Sequence, residues 1–175
     1  GLALGLLALS SAAAFAQVAA MPTPQVTAVG VSLELARTRH DTLSDVRYGL
    51  HVEIPADRRV PVRGRVAISV SRRAGAGPLV LDFAGDPAHP LRVTANGAAV
   101  KAQVANGHIV VAETVLREGP NEIGVEFTAG DGPLNRGDDF LYSLFVPARA
   151  HRAFPCFDQP DLKARERCGP LIRTI

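Results

Sequence analysis

The chain has 175 residues, of which 47% are hydrophobic and 21% are charged, so it suits one globular domain with a sizeable core. Its 19 basic and 17 acidic residues give a net charge of +2, which argues against a nucleic-acid-binding surface and against a polybasic membrane patch. Aromatic residues make up only 5% and tryptophan is absent, so few aromatic rings are available to form a carbohydrate-binding surface.

The first sixteen residues are predicted to be a secretory signal peptide. An apolar run at 2–9 is followed by Ala-Phe-Ala at 14–16, the small-x-small pattern that a signal peptidase accepts, with Gln17 as the new N-terminus. The run is shorter than the about 20 apolar residues of a transmembrane helix, and no second apolar span follows. A hydrophobic N-terminal helix or strand is the alternative. We therefore expect an exported protein, periplasmic or extracellular, without a membrane span.

Residues 17–43 are expected to form a lead-in segment, with a short helical turn or two at 32–39. From Tyr48 onward the hydrophobic residues alternate with polar ones. Because alternate side chains of a pleated strand point to opposite faces, each segment should have one buried and one wet face, as in antiparallel sheets. The alternating positions are Tyr48, Leu50, Val52 and Ile54; Val62, Val66, Ile68 and Val70; Leu79, Leu81 and Phe83; and Ile123, Val125 and Phe127.

Two Asn-Gly pairs, at 96–97 and 106–107, lie between these hydrophobic segments. Asn-Gly tolerates the positive φ angles of a type I′ turn, so each pair predicts a two-residue β-hairpin. We expect seven or eight strands between about residues 48 and 146, and no long amphipathic helix. The predicted fold is all-β, an antiparallel β-sandwich or open barrel.

Catalytic motifs are absent from the sequence: it contains no His-Glu-x-x-His, no Gly-x-Ser-x-Gly and no P-loop. His51 and His108 lie on strand segments and are expected to face solvent or cover a sheet edge. Between His51 and the other histidines nothing falls at metal-ligand spacing, so none of them is expected to bind a metal. Asp138-Asp139 could bind a cation, but adjacent acids before a strand favour a solvated or capping role. No catalytic and no metal-binding residue is therefore predicted. The arginines at 58–59, 63, 65 and 72–73 are expected on wet strand faces and turns.

The two cysteines, Cys156 and Cys168, have no zinc-site spacing. Export would allow a disulfide to persist, and the two could close a short loop. Their separation in space cannot be derived from the sequence, so a disulfide and two free thiols both stay open.

Residues 153–164, Ala-Phe-Pro-Cys-Phe-Asp-Gln-Pro-Asp-Leu-Lys-Ala, differ from the rest of the chain. The two prolines fix their own φ angles and bias the preceding residues to extended conformations. A rigid apolar loop of this kind suits a buried contact. The alternative is a well-packed connector inside one domain.

This segment resembles the signature that ends the N-terminal domain of M1-family zinc aminopeptidases, and the resemblance covers roughly residues 44–164. It implies a β-sandwich or saddle-like N-terminal domain, in a parent enzyme that removes N-terminal residues from peptides with a zinc-activated water. The upstream features that share the resemblance are Tyr48-x-Leu50, Gly64, Leu81-Asp82-Phe83, Asn96-Gly97, Gly107-His108-Ile109 and Gly119-Pro120-Asn121.

Three departures from the family pattern limit what the resemblance implies. The Gly-x-Met-Glu-Asn and His-Glu-x-x-His motifs of the catalytic domain are missing, so the fragment itself is expected to bind no zinc and to be inactive. Leu144 and Val146 stand where many relatives place Gln and Glu in the wall of the substrate pocket, and an apolar pair cannot bind an ammonium group. Residues 165–175 diverge from the family, as expected for a chain truncated before its catalytic domain.

The resemblance implies two partners: the absent catalytic domain of the same polypeptide and, in the parent, a peptide substrate. The residues expected to contact that domain are Phe154, Pro155, Phe157, Asp158, Gln159 and Pro160. They predict an exposed apolar patch around 154–157. The alternative function is a stand-alone exported β-sandwich that binds a protein or a glycan.

Overall fold

The computed structural model describes residues 29–85, 91–129, 134–137, 140–143, 145, 149–162, 164–166 and 172–174. These residues form one α-helix, α1 (Leu33–Thr42), two short 3-10 helices (Glu113–Val115 and Ala150–Arg152) and twelve strands. The strands are β1 (Leu43–Ile54), β2 (Val62–Arg72), β3 (Leu79–Asp82), β4 (Arg92–Ala95), β5 (Ala98–Val100), β6 (Gln103–Ala105), β7 (His108–Val111), β8 (Gly119–Ala129), β9 (Leu134–Arg136), β10 (Leu141–Ser143), β11 (Arg165–Glu166) and β12 (Ile172–Thr174).

The strands form three sheets. The large sheet has the order β11-β1-β2-β8-β4-β5, with β12 also paired to β1, the second sheet has the order β3-β7-β6, and β9 and β10 form a hairpin. All pairs are antiparallel except those of β1 with β11 and β12. The predicted all-β class is confirmed. Ten of these strands, β1 to β10, fall within or overlap residues 48–146, more than the seven or eight expected there, because several have three residues, too few for an alternating pattern to show.

Helix α1 confirms the helical turn expected at 32–39 and extends it to Thr42. Ser32 caps its N-terminus, where the Ser32 Oγ accepts a hydrogen bond from the Leu35 N–H over 3.1 Å. Glu34 in the first turn and Arg39 in the last complement the helix dipole. No helix among the described residues has the length and apolarity needed to cross a membrane.

Both Asn-Gly hairpins form as predicted. Asn96 and Gly97 have φ angles of 52° and 84° between β4 and β5, and Asn106 and Gly107 have 52° and 78° between β6 and β7. Two consecutive positive φ angles are the mark of a type I′ turn, which favours Asn followed by Gly.

The hydrophobic core lies between the large sheet and the second sheet. The alternating residues of β2 and β8 point inward as predicted, and they pack against β3 and β7. All residues of β3 and β7 are buried, so β3 lacks the wet face that the alternation predicted. The reason is that Asp82 and His108, on their second face, are covered by α1 and by the loop that follows residue 153.

Arg72 was expected to be exposed, and this prediction is wrong. Its side chain is 5% exposed, and its guanidinium donates to the carbonyl oxygens of Gly77 and Arg117. Burial lowers the pKa of Arg72, and Glu113, 4.0 Å away, opposes that effect. Arg72 thus ties the end of β2 to two neighbouring loops.

Candidate functional site

The Asp82 carboxylate accepts four hydrogen bonds, as many as the Arg39 guanidinium donates. The Arg39 guanidinium supplies two, from Nη2 to Oδ1 over 2.6 Å and from Nη1 to Oδ2 over 2.8 Å. The third comes from His108 Nδ1, 2.9 Å from Oδ1, and the fourth from the Asp158 N–H, 2.8 Å from Oδ2. Since a buried charge is costly unless it is paired and hydrogen-bonded, these contacts explain how Asp82 can lie in the interior.

We name Arg39, Asp82, His108, Asp158 and Gln159 the Asp82 cluster. Its members come from α1, from the paired ends of β3 and β7, and from the loop at 153–160. Beyond Asp82, the Arg39 guanidinium donates to the Val80 carbonyl over 2.8 Å and to Gln159 Oε1 over 3.2 Å. Its carbon Cζ lies 5.3 Å from the centre of the Phe157 ring, a cation–π contact. The cluster therefore attaches the helix of the lead-in segment to the β domain.

His108 was expected to face solvent or cover a sheet edge, and this prediction is wrong. The side chain is 1% exposed, and its Nε2 lies 3.1 Å from the Gly30 carbonyl oxygen. Its position opposite Asp82 in the β3–β7 register brings the two side chains together. His51, by contrast, is partly exposed and lies 3.6 Å from Glu53, in agreement with the prediction.

The loop at 153–160, here called the signature loop, is built into the sheet. Cys156 and Asp82 form an antiparallel bridge, with N–O distances of 2.7 Å and 3.1 Å. Among the six residues predicted to contact another domain, Pro155, Phe157 and Gln159 are buried, Phe154 and Asp158 are half-buried, and Pro160 is exposed. The expected exposed patch at 154–157 is therefore absent, because those side chains pack within this domain. Contact of the loop with a catalytic domain stays a prediction.

Two further contacts hold the signature loop in place. The Tyr48 hydroxyl accepts a hydrogen bond from the Phe157 N–H over 2.9 Å, and His151 Nδ1 lies 2.5 Å from Asp158 Oδ2. Burial raises the pKa of the Tyr48 phenol, and burial likewise raises the pKa of the Cys156 thiol. Both groups are thus neutral structural groups rather than reactive ones near neutral pH.

No set of three His, Cys, Asp or Glu side chains in the described ranges could hold a metal ion. Asp82 and His108 face each other and other donors or acceptors of this chain, which leaves no converging lone pairs for a zinc ion. The described residues therefore do not fit a zinc site. Leu144, Val146, Asp138-Asp139 and Cys168 lie outside the described residues, so the predictions made for them are not tested.

An aromatic surface near the β9–β10 hairpin was not foreseen from the sequence. Phe140, Tyr142 and Phe145 are 57%, 56% and 37% exposed, and the Phe140 and Tyr142 rings stack with 6.0 Å between their centres. Phe145 contacts Phe154 edge to face at 5.9 Å, and Phe154 contacts Tyr48 at 6.3 Å. This aromatic surface is thereby continuous with the packing beneath the signature loop.

A groove of about 710 Å³ crosses the large sheet. Charges of both signs line it, with Arg92 and Glu126 forming an exposed ion pair at 3.4 Å. This mixed character selects no single ligand class. The charged lining residues are Glu53, Arg63, Arg65, Arg92 and Glu126, and His51 lies beside them.

Comparisons with known proteins agree with the fold. The chain is 31% identical over 132 residues to the probable M1 family aminopeptidase 1 of Encephalitozoon cuniculi, covering 67% of this chain and 15% of that protein. Among solved structures, the M1 zinc metallopeptidase of Deinococcus radiodurans superposes with a TM-score of 0.55 at 24% identity, over 71% of this chain and 31% of that one. Yeast LTA4 hydrolase superposes with a TM-score of 0.60 at 16% identity, over 79% of this chain and 26% of that one.

No family model matches the sequence. The chain spans well under two thirds of the length of each of these relatives. The solved structures thus support the β-rich fold, and the aminopeptidase of Encephalitozoon cuniculi supports a relationship to the M1 family.

Proposed function

We propose that this chain is the non-catalytic, β-rich N-terminal part of a zinc aminopeptidase of the M1 family, on the strength of its similarity to an M1 family aminopeptidase and of its fold. In that role it packs against a catalytic domain of the same polypeptide and forms one wall of the cleft that receives a peptide. The whole enzyme would remove N-terminal residues from peptides. The zinc, held by the catalytic domain, would activate the attacking water.

The observation that carries the proposed contact with a catalytic domain is the aromatic surface. Phe140, Tyr142 and Phe145 expose large apolar rings beside the signature loop, and exposed apolar patches mark contact sites. Because most of the signature loop is buried in this domain, the loop supports the contact from beneath and the aromatic rings supply much of its surface. Pro160, the exposed residue of the six predicted contacts, would add to the rim.

The first test is the reading frame that surrounds this sequence in its source DNA. We expect Gly-x-Met-Glu-Asn and His-Glu-x-x-His in frame within a few hundred residues downstream. The longer product should bind zinc and hydrolyse an aminoacyl anilide, whereas the present chain alone should do neither. Absence of both motifs from the source frame would refute the parentage, and hydrolysis by the present chain would refute its non-catalytic role.

The second test examines the aromatic surface in the longer product. Replacing Phe140 and Tyr142 together by serine should weaken the association of the two domains when they are expressed as separate chains. The matched control is the double replacement of Arg92 and Glu126 by serine on the large sheet, which should leave association unchanged. Equal association of all three forms would contradict the proposed contact. A present chain that is soluble, monomeric and bound to an unrelated protein or glycan would instead favour the stand-alone module.

We also propose that the protein is exported, on the basis of the small-x-small pattern at 14–16. Expression of the chain behind a start codon in a bacterial host should yield a periplasmic product whose first residue is Gln17. The control is a variant with Ala14 and Ala16 replaced by lysine, which should stay uncleaved. A wild-type product that keeps residues 1–16 would contradict export.

A further inference from the structure

His108 is placed between two groups that can only accept hydrogen bonds. Its Nδ1 lies 2.9 Å from the Asp82 carboxylate, and its Nε2 lies 3.1 Å from the Gly30 carbonyl oxygen. A neutral imidazole carries one N–H and can satisfy one of these acceptors, whereas the imidazolium ion carries two. Both contacts are hydrogen bonds at the same time only when both ring nitrogens of His108 carry a proton.

The contact with Gly30 anchors the chain just ahead of α1. Gly30 has a φ of 88° and lies two residues before Ser32, the N-cap of the helix. Arg39 anchors the far end of the same helix on Asp82. Both ends of the helix are thus held by residues that contact the Asp82 carboxylate. Arg39, in the last turn, contacts it directly, and His108 connects it to Gly30, ahead of the first turn.

The charged groups around His108 have opposite effects on whether its imidazole carries a second proton. The Asp82 carboxylate favours the imidazolium, but the Arg39 guanidinium on the same carboxylate disfavours a second buried cation. The other titratable groups facing this region are Asp158 and its partner His151 on the loop side, Cys156 in the bridge to Asp82, and Tyr48 on β1.

Loss of one of the two imidazolium protons of His108 should weaken its contact with Gly30 in particular. The remaining proton stays on Nδ1, because a carboxylate is a stronger acceptor than a peptide carbonyl. The Nε2 lone pair would then face the Gly30 oxygen, and two acceptors at 3.1 Å repel each other. The segment before α1 would lose its anchor, while Arg39 would keep the end of the helix in place.

We propose that His108 is a pH-dependent latch, which holds the segment preceding α1 on the second sheet when protonated and releases it when neutral. This inference rests on the contacts of the present chain and does not depend on the proposed function. Histidine is the side chain whose charge ordinarily changes between about pH 5 and 8, so pH is the variable that tests this latch.

The test is an NMR titration of the full chain from about pH 5 to pH 9, across the range in which imidazoles titrate. Two-bond nitrogen–proton spectra should show His108 passing from the doubly protonated form to the neutral Nδ1–H tautomer. Amide protection factors of residues 30–36, corrected for intrinsic exchange, should fall by about tenfold or more, as expected for losing a hydrogen bond to a charged group.

The matched variants separate this histidine from the others. In His108→Asn the amide nitrogen can still donate to Asp82 but cannot reach Gly30, so protection of 30–36 should be low and independent of pH. His151→Asn and His40→Gln remove the other two nearby imidazoles and should leave the wild-type pH response intact. A His108 that keeps a single proton throughout, with constant protection of 30–36, would overturn the proposal. So would a pH response that persists in His108→Asn, and the wild-type titration decides the matter if that variant does not fold.

Discussion

Arg39 and Asp82 form a two-point ion pair between α1 and the end of β3, across 43 residues of sequence, with both side chains buried. The shorter of its two contacts is 2.6 Å. A bidentate guanidinium–carboxylate pair fixes orientation as well as distance, so it determines how the helix meets the sheet. Together with the contact between His108 and Gly30, this pair makes the segment before β1 part of the folded domain.

Removing the Asp82 charge should destabilise the protein strongly. In Asp82→Asn the Arg39 and His108 side chains lose their common counter-ion inside the domain, a change that typically costs about 3–5 kcal/mol of unfolding free energy. Urea unfolding followed by circular dichroism measures the loss. The control is Asp57→Asn, which breaks the exposed pair with Arg59 and should leave the midpoint unchanged. Similar midpoints for the two variants would show that the cluster contributes nothing.

Tyr48→Phe should destabilise the domain near neutral pH and make it less sensitive to alkali. The Phe157 N–H would lose its acceptor, at a cost of about 1–3 kcal/mol for a buried group left without a partner. Because burial raises the pKa of Tyr48, the neutral phenol favours the folded state, and this contribution is lost as pH rises above about 10, the ordinary tyrosine value.

Unfolding free energies of wild type and Tyr48→Phe, measured from pH 7 to about 11 across the range of tyrosine ionisation, check both parts. The wild-type stability should fall more steeply above about pH 10 than that of the variant. Cys156 also contributes to alkaline sensitivity in both proteins, because burial raises the pKa of its thiol. Parallel curves would therefore mean that Tyr48 does not ionise with unfolding.

Gly64→Ala and Gly49→Ala should have opposite consequences on adjacent strands. A Cβ at position 64 would lie 2.4 Å from Phe127 Cζ and 3.0 Å from the His51 carbonyl oxygen, so the buried ring would have to move. Such overpacking typically costs about 1–3 kcal/mol. At Gly49 the nearest atom would be the Ala67 Cβ at 3.9 Å, an ordinary contact, so the variant should be as stable as wild type or slightly more. Thermal unfolding decides, and equal losses would contradict this account.

Cys156 should resist thiol reagents as long as the protein is folded. Its side chain is buried in the bridge to Asp82, and the raised pKa leaves little thiolate. In a Cys168→Ser background, maleimide labelling should be slow in buffer and complete in urea. Fast labelling in buffer would contradict the packing of the signature loop. Mass spectrometry of the wild-type chain under non-reducing conditions settles separately whether Cys156 and Cys168 pair.

The strands and hairpins could be predicted from residues close together in the sequence, whereas the buried Asp82 cluster could not. Alternation identified the inward faces of β2 and β8, and Asn-Gly identified both hairpins, because these features depend on residues close in sequence. Arg39 carried no sequence signal, since an arginine near a helix end is normally exposed. Asp82 and His108 had one overlooked hint: apolar Val80 on the supposedly wet face of β3 indicates a strand buried on both sides.

The signature loop shows the same difference between what local sequence predicts and what tertiary packing decides. Its prolines predicted a rigid loop, because a proline restricts its own backbone and that of the residue before it. The order of its residues also carried the resemblance to a family. Whether those rings would face a partner or this domain depended on what lies beneath them. The bridge to Asp82 and the contact of Phe157 with Arg39 directed Pro155, Phe157 and Gln159 inward, and the exposed aromatic surface instead lies near the neighbouring hairpin.

By itself the sequence determined the β class, the hairpin turns, the family resemblance and the absence of a zinc motif, since each depends on residue type and short spacing. The tertiary structure alone decided which charged residues are buried. Arg39, Asp82 and His108 are far apart in the chain, and they meet because α1, β3 and β7 pack around one carboxylate. Burial of charge is a property of that assembled environment, where water is replaced by specific partners, so no local pattern could reveal it.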